Sequence, residues 1–435
     1  MPIQFRGISR AEWRRRVGRM IALVWRRLLV RTRFVAVTGS LGKTTAKELL
    51  AAILSAEGPT LATAGNYNGT IGVAHTILKA RPWHRYVVVE IGTESPGWIS
   101  RSTSIARPDV AVVLNVGRTH TNRFPTLDHT AREKAALLGR LGRGDAAVLN
   151  ADDPRVTVMD QGKRIRRGGV RVIRFGQSEA AAVRVTEISA RWPERLSLTL
   201  EYGGERQRVA TRLVGRHWAN SVVAATAAAL ACGVPLARIA AAISRVEPFA
   251  ARLEPRTLPC GAVILRDEYN GSIQSFDAAF GALRDAEAAR KILVLTTVSD
   301  SEEGWVPRLR RIVAQVDGAV DVLVLVGTGS DTRRALKAAA RNSIATPIHH
   351  FETKRAAADF LRGFLRDGDL ALLRGLGVDH MGRLYHAQVG EVRCWVDYCD
   401  KMILCEDCPE LRLKREPPPL VTLTVEQGGN RAPAS

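Results

Sequence analysis

Phe34-Val-Ala-Val-Thr-Gly-Ser-Leu-Gly-Lys-Thr-Thr-Ala-Lys-Glu48 sets an apolar run, a glycine turn and a helix-patterned segment in direct succession. The run at 34–38 shows no polar alternation, which is how a strand covered on both faces reads. Gly39 and Gly42 let the backbone curl so that several N–H groups point at one anion, and the helix N-terminus adds its positive end. Lys43 can reach the β- and γ-phosphates of a nucleotide, and the Thr44 hydroxyl can hold Mg²⁺. The loop is shorter than the common P-loop, with Val37 where that form carries glycine. Gly39, Ser40, Gly42, Lys43, Thr44 and Thr45 are the triphosphate-binding residues expected from this layout.

Outward from that segment, strands and helices alternate. Spacing predicts strands at 34–38, 86–91, 110–115 and 146–150, with helices at 43–56, 70–80, 128–141 and 218–232. Strands separated by helices imply parallel βαβ units with ligands at the strands' C-terminal ends. Residues 170–213 read as a β-rich insertion. A second series follows, with strands at 261–267, 291–297, 322–327 and 369–374 and helices near 275–288, 305–316, 331–341 and 353–366. The expected fold class is α/β: a P-loop central ATPase domain with an open, mainly parallel sheet at 34–247, then a C-terminal Rossmann-like α/β domain at 248–390. A basic amphipathic helix at 1–33 precedes them, and a Cys-rich extension and disordered tail at 391–435 follow.

Composition narrows the function. Lys+Arg 64 against Asp+Glu 43 leaves a net charge of +21 over 435 residues, which favours anionic partners. Arginine is spread along the chain without interleaved aromatics, so no nucleic-acid partner is expected. No apolar run is long enough to cross a bilayer, and no secretion signal opens the chain, which points to the cytoplasm. In the first segment Trp13, Val17, Met20, Ile21, Val24 and Leu28 recur at helical spacing among arginines. That stripe either lies on an anionic membrane face as a peripheral anchor or packs on the following domain. Six cysteines do not make a disulfide scaffold in a chain this long.

Polar residues close several of the expected strands. Glu90 follows Val-Val-Val, His120 follows Asn115-Val-Gly117, and Asp152 and Asp153 follow Asn150; Lys134 sits on a helix. Glu90 and His120 are suited to hold a metal near a triphosphate. Taken singly, each is more often structural, Glu90 as a salt-bridge partner and His120 as a helix cap; their joint placement after successive strands is what favours the metal.

Together these segments resemble the Mur ligase family, the ATP-dependent amide ligases of peptidoglycan assembly, and most of all its D-alanyl-D-alanine-adding branch. The resemblance rests on Thr38-Gly-Ser-Leu-Gly-Lys-Thr-Thr45, Gly65-Asn66-Tyr-Asn68-Gly-Thr-Ile-Gly72, Glu90-Ile-Gly92 and Asn115…His120…Phe124. It continues through Asn150-Ala-Asp-Asp153, Gly215-Arg-His217-Trp-Ala-Asn220, Arg252-Leu-Glu254 and Asp267-Glu-Tyr269-Asn270, covering about residues 34–390. It implies a carboxylate–amine ligase acting through an acyl phosphate on small-molecule or peptide substrates, with oligomeric state left open. Lys43 would neutralise the transferring phosphoryl group. Thr44 and Glu90 would hold one Mg²⁺, and His120 with a carbamylated Lys134 a second. Asn220, Arg252, Asp267, Tyr269 and Asn270 would meet the nucleotide, and Asn66 and Asn68 the substrate.

The chain also departs from that family. The uridine-nucleotide domain that precedes the P-loop in those ligases has no room before residue 34, so a uridine-linked muramyl peptide is not the expected substrate. Thr296-Thr-Val-Ser-Asp-Ser301 and Arg374-Gly-Leu376 replace family segments on the domain that presents the amine, so a changed acceptor is expected. Cys394, Cys399, Cys405 and Cys408 lie outside the resemblance. They read either as a structural Zn²⁺ site or as reduced cysteines in a hairpin of 392–396 and 401–404. Two other classes remain open from sequence: a mechanical or signalling P-loop NTPase, and a non-catalytic scaffold binding anionic surfaces.

Overall fold

The computed structural model describes residues 10–93, 95–118, 123–269, 271–298, 303–327, 336, 344–396, 399–401 and 403–411. The chain forms two compact units, Met1–Glu247 and Pro248–Ser435. Each is built on a mainly parallel sheet, in agreement with the α/β class read from the sequence.

The first unit holds β1 (Arg33–Thr38), β2 (Thr60–Ala62), β3 (Tyr86–Glu90), β4 (Val110–Val113), β5 (Ala146–Asn150), β6 (Arg171–Gly176), β7 (Val183–Ser189), β8 (Ser197–Tyr202) and β9 (Glu205–Ala210). Its helices include α1 (Arg10–Leu28), α2 (Lys43–Ser55), α3 (Thr70–Lys79), α4 (Trp98–Ala106) and α5 (Leu127–Ala135). The sheet order is β2-β3-β1-β4-β5-β6-β7-β8-β9. Strands β2 to β6 and the start of β7 pair in parallel with their neighbours, while β7, β8 and β9 form an antiparallel meander. Phe34 to Val37 are buried because helices cover both faces of β1. Chain order reverses at β1, with β3 on one side and β4 on the other, so a crevice opens at the strand's C-terminal end.

Residues 170–213 are β-rich, as expected, but they extend the main sheet rather than interrupt it. β6 pairs with β5 in register, Asn150 opposite Phe175, and β7 to β9 continue the same sheet. The apolar–polar alternation of Val183–Ser189 reflects an antiparallel end of the sheet with one solvated face.

Helix α1 does pack on its own unit, but not through Met20, Ile21, Val24 and Leu28 of the stripe that the sequence singled out, which are exposed. Ala22 and Leu29, with the partly buried Leu23 and Trp25, meet a core that includes Val73, Ile77 and Ala106. Trp25 Nε1 donates to Ala80 O at 3.0 Å. The Arg26 guanidinium donates to Ala106 O at 2.8 Å and Arg107 O at 2.6 Å, pairs with Asp109 at 3.3 Å, and lies over the Phe34 ring. Arg26→Ala would strip the buried Ala106 carbonyl, the part-buried Arg107 carbonyl and Asp109 of their donor. It is expected to lower unfolding free energy by about 2 kcal/mol, measured by urea denaturation.

The second unit contains β10 (Glu254–Thr257), β11 (Val263–Asp267), β12 (Arg290–Leu295), β13 (Val322–Val326), β14 (Ile348–Phe351) and β15 (Asp369–Arg374), in the order β10-β11-β15-β12-β13-β14. Among the described residues only the β10–β11 pair of this sheet is antiparallel. Helices span Ile273–Arg284, Trp305–Val316, Lys354–Phe364 and Gly382–Val389. Of the helix expected at 331–341, all but residue 336 lies outside the described residues. The hairpin expected at 392–404 does not form among the described residues, which carry no strand there; a single 3₁₀ turn covers Cys405–Asp407.

An ionic cluster fastens the extension to β11. Arg266 donates to Glu268 and Glu406 and lies 3.4 Å from Glu254, while His386 meets Glu406 at 3.2 Å. Burial opposes the Arg266 charge, yet Glu268, Glu406 and Glu254 together raise its pKa. Burial would likewise raise Glu406, but the His386 hydrogen bond and the Arg266 charge hold it well below the usual carboxylate range.

Candidate active site in the first unit

The β1–α2 turn sits in the crevice where chain order reverses. Gly42 adopts φ 79°, a left-handed conformation that favours glycine, at the N-cap of α2. No side chain caps this helix, so its first-turn N–H groups are available to an anion. A Cβ on Gly39 would come within 2.8 Å of Leu114 Cβ, so the turn lies tight against the segment after β4.

Asn115 braces the turn. Its Oδ1 accepts from the N–H of Ser40 and of Leu41, both at 2.9 Å, and its Nδ2 donates to Leu41 O. The Ser40 hydroxyl donates to Gly117 O at 3.0 Å and accepts from Gly117 N at 2.8 Å. Lys43 Nζ donates to the turn carbonyls of Gly39 and Ser40 at 2.8 and 3.1 Å. Thr44 is half-buried at the first turn of α2, and Thr45 is fully buried with no hydrogen-bond partner for its Oγ1.

Glu90 ends β3, paired with Val37 of β1, and is 1 % exposed. Asn68 Nδ2 donates to its Oε1 at 2.7 Å, while Oε2 is buried with no hydrogen-bond partner. An ionised carboxylate oxygen left in that state is costly unless a cation meets it. Gly92 N donates to Asn68 O at 2.9 Å, and a Cβ on Gly92 would stand 2.6 Å from Asn68 Oδ1. The Asn68 side chain is thus fixed on Glu90, whereas Asn66 is exposed.

Lys134 lies on α5 and is 2 % exposed. Burial first, and then the like charge of Lys43, push its pKa down to about 7; Glu133 acts the other way. Glu133 is itself committed to the N-terminus of α4, accepting from Gly97 N and Ile99 N at 2.8 Å each. Lys134 is therefore about half neutral at pH 7, where an ordinary lysine is almost wholly charged. His120 lies outside the described residues.

Two supporting residues escaped the sequence reading. Lys47, fully buried, donates to Thr63 O at 2.6 Å and Gly65 O at 3.2 Å, holding the loop that carries Asn68. Glu133 is the other. A lysine one turn after Lys43 on a helix face otherwise filled by Leu50 and Leu54 was the available signal for Lys47. The carboxylates after β5 are structural: Asp153 accepts from Val116 N and Arg155 N, and Asp152 from Gln177 N and Ser178 N. Asn150 Nδ2 donates to Leu114 O at 2.7 Å and stands 3.5 Å from Asn220 Oδ1.

In the second unit, the Arg252 guanidinium lies 4.4 Å from the Tyr269 ring centroid. Asp267 accepts from Leu253 N at 3.2 Å and from Arg374. Arg252, Asp267 and Tyr269 are thus neighbours; Asn270 lies outside the described residues. The two segments expected to depart from the family meet in this unit as well, Thr296 N donating to Arg374 O at 3.1 Å. Thr296 Oγ1 and Thr297 Oγ1 donate to Asp379 Oδ2 at 2.5 and 3.0 Å, just beyond the paired ends of β12 and β15. Cys394, Cys399, Cys405 and Cys408 all line one small cavity with His380, although among the described residues no three donors stand assembled for a metal ion.

Comparison with known proteins agrees with this geometry. Residues 37–229 match the Mur ligase middle domain, and residues 251–377 the Mur ligase glutamate ligase domain. The UDP-N-acetylmuramoyl-tripeptide–D-alanyl-D-alanine ligase of Mycobacterium tuberculosis is 30% identical over 381 residues, covering 83% of this chain and 73% of that protein. The Escherichia coli enzyme of the same name is 34% identical over 271 residues, covering 62% and 59%. A crystal structure of MurF from Acinetobacter baumannii superposes with a TM-score of 0.78 at 25% identity, covering 87% of this chain and 81% of that one. MurF from Thermotoga maritima, solved with ADP, shares the fold with a TM-score of 0.74 at 20% identity.

Proposed function

The chain belongs to the Mur ligase family of ATP-dependent, amide-bond-forming enzymes, and we propose that it couples a small peptide carboxylate to an amine through an acyl phosphate. A substrate carboxylate oxygen would attack the γ-phosphorus of ATP, releasing ADP. The amine nitrogen would then attack the acyl carbon, releasing phosphate. Both steps build negative charge, so fixed cations matter more than acid–base groups. Lys43 and the α2 N-terminus supply that charge at the phosphates.

Mg²⁺ suits the residues present. The buried, unpartnered Oε2 of Glu90 is the observation that carries this reading. Thr44 and Glu90 would hold one ion, which supplies charge neutralisation at the phosphoryl oxygens. His120 and Lys134 would serve a second, with Lys134 carrying CO₂ as a carbamate. A charged lysine would repel a cation, whereas an amine with its pKa lowered to about 7 can be carbamylated and become an anionic oxygen ligand.

Gly39, Ser40, Gly42, Thr45 and Asn220 are assigned to the nucleotide in this reading, with Arg252, Asp267, Tyr269 and Asn270 from the second unit. Asn66 is assigned to the substrate, and Asn68 to holding Glu90. Thr296-Thr-Val-Ser-Asp-Ser301 and Arg374-Gly-Leu376, which stand where the family carries other segments on the amine-presenting unit, support an acceptor other than D-alanyl-D-alanine. The enzyme would work in the cytoplasm on cell-wall or related peptides. Phosphate release from ATP across a panel of peptides, amino acids and dipeptides tests the proposal. Release stimulated by one carboxylate–amine pair supports it, and hydrolysis indifferent to every amine favours a plain NTPase.

Asn68→Ala is expected to leave Glu90 unguided. Turnover should fall about tenfold and the Mg²⁺ concentration for half-maximal rate should rise, as read from magnesium titrations.

The cysteine-lined cavity is proposed as a structural zinc site. Four thiols can complete a tetrahedral set once drawn together, and His380, whose Nε2 is buried without a partner, is a further donor. Burial pushes the Cys405 thiol up to about 12, so it stays protonated at neutral pH unless a bound metal ion displaces the proton to solvent. One zinc per chain by elemental analysis, lost in Cys405→Ser, is the expected result.

A further inference from the structure

Helix α1 keeps an apolar face turned outward. Met20, Ile21, Val24 and Leu28 recur at helical spacing and expose between 53 % and 67 % of their surface, and Val30 just beyond is also largely exposed. The opposite face cannot roll to hide them, because Trp25 and Arg26 anchor it to Ala80, Ala106, Arg107 and Asp109. The helix carries seven arginines and one glutamate, and Arg16, Arg27 and Arg31 are exposed. Beside it, the turn at 81–85 is held by Thr32, whose hydroxyl donates to His84 O at 2.8 Å, and Trp25 holds Ala80 just before it. That turn presents the exposed indole of Trp83 and the exposed Arg81.

We propose that this outward face of α1, with Trp83 at its side, docks the protein on an anionic lipid bilayer. Apolar side chains would enter the acyl boundary while arginines stay at the phosphates, and an indole suits the same depth. No described helix is long and apolar enough to cross a membrane, so this one lies on the surface. A second copy of the chain fits less well, since its face would bring another set of arginines against these. Nucleic acid would use the arginines but leave the apolar stripe in water. The proposal does not depend on the ligase chemistry.

Full-length protein is sedimented with vesicles of phosphatidylcholine alone or mixed equally with phosphatidylglycerol. Binding to the anionic vesicles only, weakened by salt, is expected. A variant carrying Met20→Glu, Val24→Glu and Leu28→Glu should lose at least about tenfold in vesicle affinity with unchanged thermal unfolding and ATP turnover. Arg27→Gln and Arg31→Gln should each cost about fivefold. Absence of vesicle binding, equal binding to both vesicles, or binding that survives the triple variant overturns the proposal. So does a wild-type dimer that the triple variant converts to monomer, because the face would then be covered by a second copy.

Discussion

Lys43→Ala is expected to reduce ligase turnover by at least about a thousandfold. The side chain stands at the first position of α2 with its ammonium over the β1–α2 turn, donating to Gly39 O and Ser40 O. An incoming triphosphate offers that ammonium oxygens with far more negative charge than a peptide carbonyl. The gain grows as charge moves onto the bridging and transferred oxygens, so the loss should fall on turnover more than on ATP affinity. Folding should be little affected, because Lys43 is only half-buried. Single-turnover phosphate release beside equilibrium ATP binding separates the two quantities. Unchanged turnover in a variant that still binds ATP would remove the P-loop from the mechanism.

Lys134→Met should act on activity and stability in opposite directions. An unfolded lysine titrates near 10.5 and the folded one near 7, so the unfolded chain binds more protons between those values. Stability of the unmodified wild type therefore rises with pH across that window. Below about pH 7 it carries the full penalty of a buried ammonium. Methionine fills similar space without that penalty. In CO₂-free buffer at pH 6–7 the variant should be more stable by a few kcal/mol, with the gain shrinking towards pH 10.5. Turnover should fall at least about a hundredfold, and isotopically labelled bicarbonate should give a carbamate signal in wild type alone. Denaturant titrations at several pH values check the first part. A variant less stable than wild type at pH 6 would show that Lys134 is held by charge rather than merely tolerated.

What the sequence made legible was whatever is written in local period and motif. The buried run before Gly39, the helix after Gly42 and the placement of Glu90 at the end of β3 follow from residues close together in the chain. The short strands β2, β10 and β14 were not visible, because three or four residues are too few to give a period to read. Helix α1 shows a second limit. Its apolar stripe is unmistakable in sequence, yet Arg26 and Trp25 on the other side make the contacts, and no local pattern says which side meets the sheet. Asn68 shows a third, since its bond to Glu90 spans a loop and a strand and only the folded chain reveals it.

The fastening of Glu406 to Arg266 bears on where the second unit can be cut. A fragment ended at residue 377, where the family match stops, would discard the Gly382–Val389 helix and everything that lies over it. It would remove one of the three acids around an interior guanidinium and uncover the apolar floor that Val392, Cys405 and Leu411 roof over. Any excised version meant to stay monodisperse has to run to residue 411, so the stretch beyond the family boundary belongs to the folding unit itself.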